Sequence, residues 1–334
     1  MIKKYYTGSI VFTLIALVLG YLLGGWPAAW IVLVLAALET SLSFDNAVVN
    51  AKVLEHMDPV WRRRFLIWGM LIAVFLMRLV FPLLIVGVVA SLGPIEVLRL
   101  AIFDEHRYAQ VLSSAHAQIA AFGGAFLMLV FLKFFVDQEK DTHWFKPIEA
   151  RLTKLGKLQS VEIGITLLVI LFAARTLPLA EQGDFIVAGL WGIITYILAD
   201  GAGAILGADD AASSTAKQGF AGFMYLEILD ASFSFDGVIG AFALSHNLFI
   251  IALGLGVGAM FVRSFTLMLV DRGTLAEYRY LEHGAFWAIG ALASIMFLGV
   301  SIHIPEVITG GIGLALIAWA MWSSIKHKRL HGEN

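Results

Sequence analysis

Two short stretches place acids and hydroxyl groups within otherwise apolar sequence. The first reads LETSLSFDNAVV at residues 38–49, and the second reads LDASFSFDGVIG at residues 229–240. They align without a gap, and a leucine, an acid, two serines, a phenylalanine and an aspartate recur in register. Apolar sequence of low diversity does not readily produce such a match by coincidence. We therefore interpret the stretches as two copies of one functional motif.

The side chains of both copies offer oxygen ligands for a metal ion. The predicted ligands are Glu39, Ser43, Asp45, Asn46, Asp230, Ser234 and Asp236. The chain has no cysteine, and no histidine lies within either copy. Hard oxygen ligands suit Mg²⁺, Ca²⁺ or Mn²⁺ rather than zinc or copper. This chemistry leaves the three ions open, and no cofactor other than a transported ion is predicted.

An arginine follows each copy within the next apolar segment, Arg78 after the first and Arg263 after the second. Ionisable side chains within a membrane are costly and are functional by default. Four motif carboxylates and two arginines leave two negative charges, which one divalent cation or protonation would neutralise. We predict that the arginines compensate the charge of the acids, with a gating role as the alternative.

The geometry of a regular helix separates the motif residues into two groups. Residues 39, 43 and 46 share one face, because seven residues bring the chain back to within about 20°. Asp45 lies about 120° away from Glu39. Either the helix is broken near Ser43, which would free carbonyl oxygens as further ligands, or Asp45 has another partner, such as an arginine.

The composition is typical of a polytopic membrane protein. Hydrophobic residues make up 60% and charged residues 14% of the 334 residues, and the mean hydropathy is +0.85. A run of about 20 apolar residues spans a bilayer. The ten predicted spans cover residues 9–25, 27–51, 65–90, 118–136, 161–180, 185–207, 219–245, 248–270, 283–302 and 306–325. The first resembles a signal peptide, but a poor cleavage site follows it and we expect it to be retained.

Positive charge is distributed unevenly between the connecting segments. With the amino terminus in the cytoplasm, cytoplasmic segments carry sixteen Lys and Arg residues, whereas the outer loops carry only Arg99 and Arg107. The positive-inside rule therefore predicts that both termini are cytoplasmic. The motif copies fall in the second and seventh spans, so they cross the membrane in opposite directions.

These features predict an all-α fold of about ten transmembrane helices, arranged as a 5+5 inverted repeat. The first repeat covers residues 1–180, with a cytoplasmic loop at 137–160, and the second covers 181–334, with a basic tail. Transporters of this architecture bind substrate near the midplane, where the repeats meet. The predicted cation entrance comprises Asp200, Asp209 and Asp210. A solvated helix end and loop is the alternative interpretation of these three acids.

The motifs resemble those of the TerC/Alx family of integral membrane proteins, within the broader LysE transporter superfamily. The resemblance covers about residues 28–325 and implies manganese efflux. It places the family's acidic site on Glu39, Asp45, Asn46, Asp230 and Asp236. The second copy departs from the pattern, with Asp230 in place of glutamate and Gly237 in place of asparagine. These departures concern the identity of the ion more than the fold.

We therefore expect a bacterial inner-membrane transporter rather than an enzyme, exporting a divalent metal ion, foremost Mn²⁺. The expected partners are the ion and membrane lipid, not nucleic acid, and the sequence leaves the oligomeric state and the coupling ion open. One alternative is an exporter of another cationic solute such as an amino acid, whose site needs room for a side chain. Another is an intramembrane aspartyl protease with Asp45 and Asp236 apposed, although the YD…GxGD pattern of such enzymes is absent around either aspartate.

Overall fold

The computed structural model describes residues 2–55, 57–69, 71–138, 142–205, 219–242, 244–273, 277–302 and 304–331, and every regular element in these ranges is helical. The first eight α-helices are α1 Ile2–Tyr5, α2 Thr7–Leu42, α3 Phe44–Glu55, α4 Pro59–Arg64, α5 Phe81–Val89, α6 Pro94–Phe103, α7 Glu105–Ser114 and α8 His116–Val136. The later ones are α9 Lys146–Leu155, α10 Val161–Ala174, α11 Leu179–Ile205, α12 Phe220–Ala241, α13 Leu248–Arg272, α14 Leu281–Gly299 and α15 Glu306–His331. Two π-helical segments, Phe65–Gly69 and Ile72–Val80, lie between α4 and α5.

Several helices have the length and composition of membrane spans. The six that qualify within the described ranges are Thr7–Leu42, His116–Val136, Leu179–Asp200, Leu248–Arg272, Leu281–Gly299 and Ile308–Leu330. Large apolar side chains also cover the outer surface; Leu22 and Trp26, for example, are 73% and 78% exposed. An extended apolar surface faces lipid rather than water. The described chain is thus an all-helical protein of the polytopic membrane class, as its composition predicts.

The other predicted spans fall on helices that are shorter than a full span, that carry several acids, or that continue from another predicted span within one element. Phe75–Gly87 and Val161–Ala174 are apolar but shorter than a full span. α12 is 22 residues long and carries three acids, Glu227, Asp230 and Asp236. The spans predicted at 9–25 and 27–51 both begin within the single element α2.

The 36-residue helix α2 reverses its direction at Gly24 and Gly25. Gly25 has a φ of +68°, which glycine adopts without the steric cost of a side chain. The side chain of Val32 lies against Gly20, although a straight helix would hold these residues about 18 Å apart. The contacts of α2 with the neighbouring helix α13 show the same reversal of α2. The contacts of α2 with α13 pair Ser9 with Met260, Gly24 with Ile250, Leu35 with Gly254 and Glu39 with Gly258.

Along these contacts the residue number on α13 first falls and then rises, so the two halves of α2 are antiparallel. The prediction of two separate spans, 9–25 and 27–51, places their boundary beside this turn. The approach of the second half to α13 depends on glycine. Gly254 and Gly258 leave space for the side chains of Leu35 and Glu39, as small residues do at helix contacts in membranes. This close packing places Glu39 in the interior of the bundle, where it is 2% exposed.

Candidate functional site

The first motif copy lies at a break between two helices. α2 ends at Leu42 and α3 begins at Phe44, and Ser43 between them has φ −99° and ψ 19°. The Ser43 N–H still donates to the Glu39 carbonyl at 3.0 Å, and the Ser43 carbonyl accepts from the Ala47 N–H at 3.2 Å. The chain is therefore distorted at Ser43, but the carbonyls of Glu39 and Ser43 keep their helical partners and are not freed as ligands.

Glu39 is held by an arginine from the next apolar segment of the chain. Arg78 Nη2 donates to Glu39 Oε1, and the two side chains are 2% and 3% exposed. Ser43 Oγ donates to the same oxygen at 3.2 Å. Arg78 belongs to the π-helical segment Ile72–Val80, a geometry that is rare and frequent at functional sites. The structure thus joins Arg78 and Glu39 in a buried ion pair.

Two contacts connect the first motif copy with the second. Asn46 Nδ2 donates to Asp230 Oδ1 at 2.6 Å. Glu39 Oε2 lies against Gly237, where an added Cβ would be only 2.9 Å from that oxygen. In the motif alignment Glu39 corresponds to Asp230, and Asn46 corresponds to Gly237. Each copy therefore places its first acid against the residue that follows the aspartate of the other copy.

A cavity of about 40 Å³, here called the main cavity, adjoins these contacts. Its polar lining consists of Glu39, Ser43, Asn46, Asn50, Arg78, Glu227, Asp230, Arg263 and Thr266. A buried water needs roughly 10–15 Å³ by this kind of measure. The main cavity therefore has room for an ion with one or two waters, and it is far smaller than the roughly 300–1,000 Å³ of typical organic-ligand pockets.

Four buried oxygen atoms of residues that line the main cavity accept no hydrogen bond from the described residues. They are Asn46 Oδ1, Asn50 Oδ1, Glu227 Oε1 and Asp230 Oδ2. A buried acceptor without a partner costs about 1–3 kcal/mol, and more if it is charged. Native proteins satisfy nearly all such atoms, so a cluster of them calls for a water or an ion. A cation or water molecule in the main cavity would supply such atoms with a partner.

Asp45 faces a second, smaller cavity of about 20 Å³. Glu39 and Ser43 line both cavities, whereas Asp45 lines only the second and Asp230 only the main one. The Asn46 N–H donates to Asp45 Oδ1 at 3.0 Å. This separation follows from the angle of about 120° between residues 39 and 45 around a helix. The single site predicted from the sequence is therefore divided into two adjacent cavities.

Arg263 lines the main cavity but forms no ion pair with a described residue. Its Nε is buried and donates to no acceptor within the described ranges. The prediction that the arginines compensate the acids is supported at Arg78, whereas Arg263 pairs with no described residue and the side chain of Asp236 lies outside the described part of the structure. Asp230, the counterpart of Glu39, is bonded to Asn46 rather than to an arginine.

The remaining predicted ligands belong to the second copy. Ser234 and Asp236 lie within α12, but their side chains are outside the described part of the structure. Their participation in either cavity stays a prediction.

Only one of the three acids predicted at the entrance is described. Asp200 of α11 lines an open cavity of about 590 Å³, together with Asp137 and Glu162. Asp209 and Asp210 fall outside the described residues. The opening beside Asp200 therefore carries two acids that the sequence did not associate with it.

Sequence reasoning missed the two residues outside the motifs that line the main cavity and carry buried oxygen atoms without a partner, Asn50 and Glu227. They are 5% and 7% exposed, and neither belongs to the repeated stretches. A signal was nevertheless present. Asn50 follows Asn46 by four residues and Glu227 precedes Asp230 by three, and such spacings place side chains on one face of a helix. Extending the polar faces of both helices by one turn would have found them.

The acids of the site are dispersed rather than clustered. Within the described residues, no group of three or more histidine, aspartate or glutamate side chains is arranged to hold a metal ion. Glu39 is paired with Arg78, Asp45 lines the second cavity, and among the described residues Glu227 and Asp230 each have a buried carboxylate oxygen without a hydrogen-bond partner and line the main cavity. Such a cavity can surround a cation with two carboxylates, two amide oxygens and water, a mixed oxygen set of the kind used by Ca²⁺, Mg²⁺ and Mn²⁺.

Comparison with known proteins gives one match. Residues 44–331 match a family described as "Protein of unknown function (DUF475)". No curated protein and no solved structure matches the chain. The matched range begins next to Ser43 and contains all of the second motif copy, and the family's description names no activity.

Proposed function

Because the chain belongs to the DUF475 family, whose description names no activity, we propose its function from the site: it is a bacterial inner-membrane transporter that exports a divalent metal ion, foremost Mn²⁺. One observation carries the proposal. Four buried oxygen atoms that accept no hydrogen bond from the described residues belong to residues that line a single cavity inside a bundle of apolar helices. The ion is the substrate, and no resident cofactor is invoked.

The charge of the bundle supports a cation as the substrate. Five acids lie in the segments predicted to span the membrane at the site: Glu39, Asp45, Glu227, Asp230 and Asp236. Two arginines, Arg78 and Arg263, accompany them. The three remaining negative charges are costly in a membrane unless they are neutralised. One divalent ion and one proton neutralise these three charges. For the four motif acids alone, without Glu227, two negative charges remain and one divalent ion is sufficient.

The donor set and the dimensions of the main cavity favour a bare ion over an organic cation. A volume of about 40 Å³ leaves no space for an amino-acid side chain. The oxygen donors suit Mn²⁺, Mg²⁺ and Ca²⁺ alike. Manganese takes first place because of the resemblance of the motifs to the TerC/Alx family. Weak, partly hydrated coordination also suits transport, since an ion must leave its site as well as enter it.

The contacts between the motif copies support the 5+5 inverted repeat. The pairs Glu39–Gly237 and Asn46–Asp230 run in opposite order along the two helices, as expected for antiparallel copies. The pairs also exchange under the motif alignment, as expected for a pseudo-two-fold axis that passes between them. Inverted-repeat transporters place their substrate at such an axis. The positive-inside distribution of Lys and Arg supports cytoplasmic termini.

The experiment is metal flux into proteoliposomes that contain the purified protein, comparing Mn²⁺, Mg²⁺, Ca²⁺ and Zn²⁺. The proposal predicts Mn²⁺ flux well above that of empty liposomes. Asp230→Asn should abolish it, whereas Asp184→Asn, which alters an exposed acid at the start of α11, should not. Equal flux in the Asp230→Asn protein, or flux of none of the four ions, would contradict the proposal.

A further inference from the structure

A pocket lined by cationic side chains lies where α9, α14 and α15 meet. It has a volume of about 330 Å³, within the range of roughly 300–1,000 Å³ that is typical of small-molecule sites. Its polar lining consists of His143, Lys146, Arg279, Tyr280 and His327. None of the described residues that line it is acidic. This pocket is separate from both cavities between the motif copies.

The walls of the pocket are fixed by hydrogen bonds that do not involve its two permanent cations. Glu149 of α9 accepts from Trp287 Nε1 at 3.0 Å and lies 3.1 Å from His283 Nδ1, and both partners belong to α14. The Tyr280 N–H donates to Ser324 Oγ of α15 at 2.9 Å. These bonds dock α9 on α14 and the start of α14 on α15. The pocket is therefore preformed, which lowers the entropic cost of binding a ligand.

The positive charge of the pocket is not neutralised by the neighbouring acids in the sequence. Glu277 and Glu282 flank Arg279 in the sequence, but they pair with Lys328 and Lys52. Arg279 Nη1 lies 3.3 Å from His327 Nε2, which holds the guanidinium beside α15. Lys146 is the first residue of α9, and the positive end of a helix dipole further favours an anion there.

Aromatic residues on α15 indicate the level of the pocket relative to the membrane. Trp319 and Trp322 are 49% and 58% exposed, and Lys326 Nζ lies 5.4 Å from the centre of the Trp322 ring. Exposed tryptophan with a nearby lysine is typical of the membrane–water interface. His327 follows Trp322 by five residues, or about 7.5 Å along the helix. The pocket therefore opens at the level of lipid headgroups, on the side that the positive-inside rule assigns to the cytoplasm.

We propose that this pocket binds a phosphate group. The planar guanidinium of Arg279 matches the geometry of two phosphate oxygens, and Lys146 adds a second positive charge. The imidazole of His143 and the hydroxyl of Tyr280 can donate further hydrogen bonds. An anionic phospholipid headgroup or a soluble phosphate offers the same chemistry, and the level of the pocket favours the headgroup. This site goes beyond the proposed metal export and does not depend on it.

The test compares the full-length wild type with a pocket variant and a matched control. The pocket variant combines Lys146→Gln with Arg279→Gln. The control combines Lys154→Gln with Lys157→Gln, which removes the same charge from exposed positions outside the pocket. Native mass spectrometry measures retention of phosphatidylglycerol against phosphatidylcholine, and thermal melts with inorganic phosphate measure the soluble source. No metal is present, so the result is independent of metal transport.

We expect the pocket variant to bind phosphatidylglycerol at least tenfold more weakly than the wild type and the control, with no difference for phosphatidylcholine. Stabilisation by inorganic phosphate in the wild type and the control alone, with equal phosphatidylglycerol binding, would support the phosphate site and assign it a soluble ligand. Identical behaviour of all three proteins in both assays would overturn the proposal. Arg279→Lys, which keeps the charge but loses the planar fork, should give an intermediate loss and guards against misfolding of the double variant.

Discussion

Asn46 of the first motif copy donates a hydrogen bond of 2.6 Å to Asp230 of the second copy. At the related position, Gly237 of the second copy lies against the carboxylate of Glu39. The longer acid thus meets the smallest residue, and the shorter acid meets an amide that can reach it. The departures of the second copy from the first are therefore complementary, because a larger side chain at 237 would occupy the space of the Glu39 carboxylate.

The Asn46–Asp230 bond should contribute measurably to stability. Asn46→Ala removes the side-chain donor that the described structure provides to Asp230, and a buried acceptor without a partner costs about 1–3 kcal/mol. We expect the free energy of unfolding to fall by about that amount and Mn²⁺ flux to decrease. Thermal melts and proteoliposome flux measure the two effects. Asn50→Ala serves as the comparison, since it should weaken flux with a smaller loss of stability; equal melting temperatures for Asn46→Ala and the wild type would contradict the role of the bond.

The two arginines should differ in their effect on stability. Arg78→Ala leaves the buried Glu39 carboxylate without its ion-pair partner, and breaking a buried pair typically costs about 3–5 kcal/mol. Arg263 has no such pair among the described residues, so Arg263→Ala should cost less while still altering the charge of the main cavity. Thermal melts with and without Mn²⁺ distinguish the variants. A larger loss for Arg263→Ala than for Arg78→Ala would show that the observed pairing does not govern stability.

The packing of Glu39 against α13 predicts a strong effect at one glycine. An added Cβ at Gly258 would lie 2.4 Å from Cβ and Cγ of Glu39 and 3.2 Å from the Ala36 carbonyl. We expect Gly258→Ala to separate the two helices and to cost roughly 1–3 kcal/mol. Gly164→Ala in α10 is the control, because nothing lies within 4 Å of its added Cβ and alanine favours a helix. The prediction fails if both variants unfold at the same temperature.

The Glu149 carboxylate, which docks α9 on α14, predicts that stability depends on pH in the acidic range. Burial raises the pKa of Glu149, but hydrogen bonds from His283, Trp287 and the Phe145 N–H outweigh this effect and lower the pKa to about 2, from an ordinary value of 4.5. As the pH falls, Glu149 is therefore protonated at a higher pH in the unfolded chain than in the folded chain. The stabilisation is fully present above about pH 4.5 and is lost as the pH falls towards about 2, and it amounts to roughly 3 kcal/mol at neutral pH.

Melts of the wild type and Glu149→Gln across this pH range test the prediction. The wild type should lose stability between pH 4.5 and pH 2 relative to the variant, which lacks the titrating group. Glu181→Gln, at an exposed position of α11, should follow the wild type. Parallel curves for the wild type and Glu149→Gln would exclude this contribution.

The sequence predicted the helical membrane class and the motif residues because both depend on local patterns. Apolar runs predicted membrane spans, and the described residues contain six helices long and apolar enough to be spans. The boundary predicted between residues 25 and 27 falls beside the turn within α2. The helical angle between residues 39 and 45 also anticipated that Asp45 would have different neighbours from Glu39. These are properties of one helix at a time, and helical geometry alone was sufficient to infer them.

The sequence could not show which side chains meet across helices. Asn50 and Glu227 enter the main cavity through the packing of α3 against α12 and have no counterpart in the repeat. The pairing of Arg78 with Glu39 depends on side-chain lengths at the interface between the copies. The pocket of Lys146, Arg279 and His327 likewise joins residues on or next to three separate helices, and no local pattern connects them.

The central claim is that a divalent ion binds among the oxygens of Glu227, Asp230, Asn46 and Asn50. The most direct test is Mn²⁺ binding to the purified protein, measured by electron paramagnetic resonance, for the wild type, Glu227→Gln, Asp230→Asn and the exposed control Asp184→Asn. The account predicts saturable binding in the wild type and the control, binding at least tenfold weaker in Glu227→Gln, and none in Asp230→Asn. Equal Mn²⁺ affinity in all four proteins would contradict it.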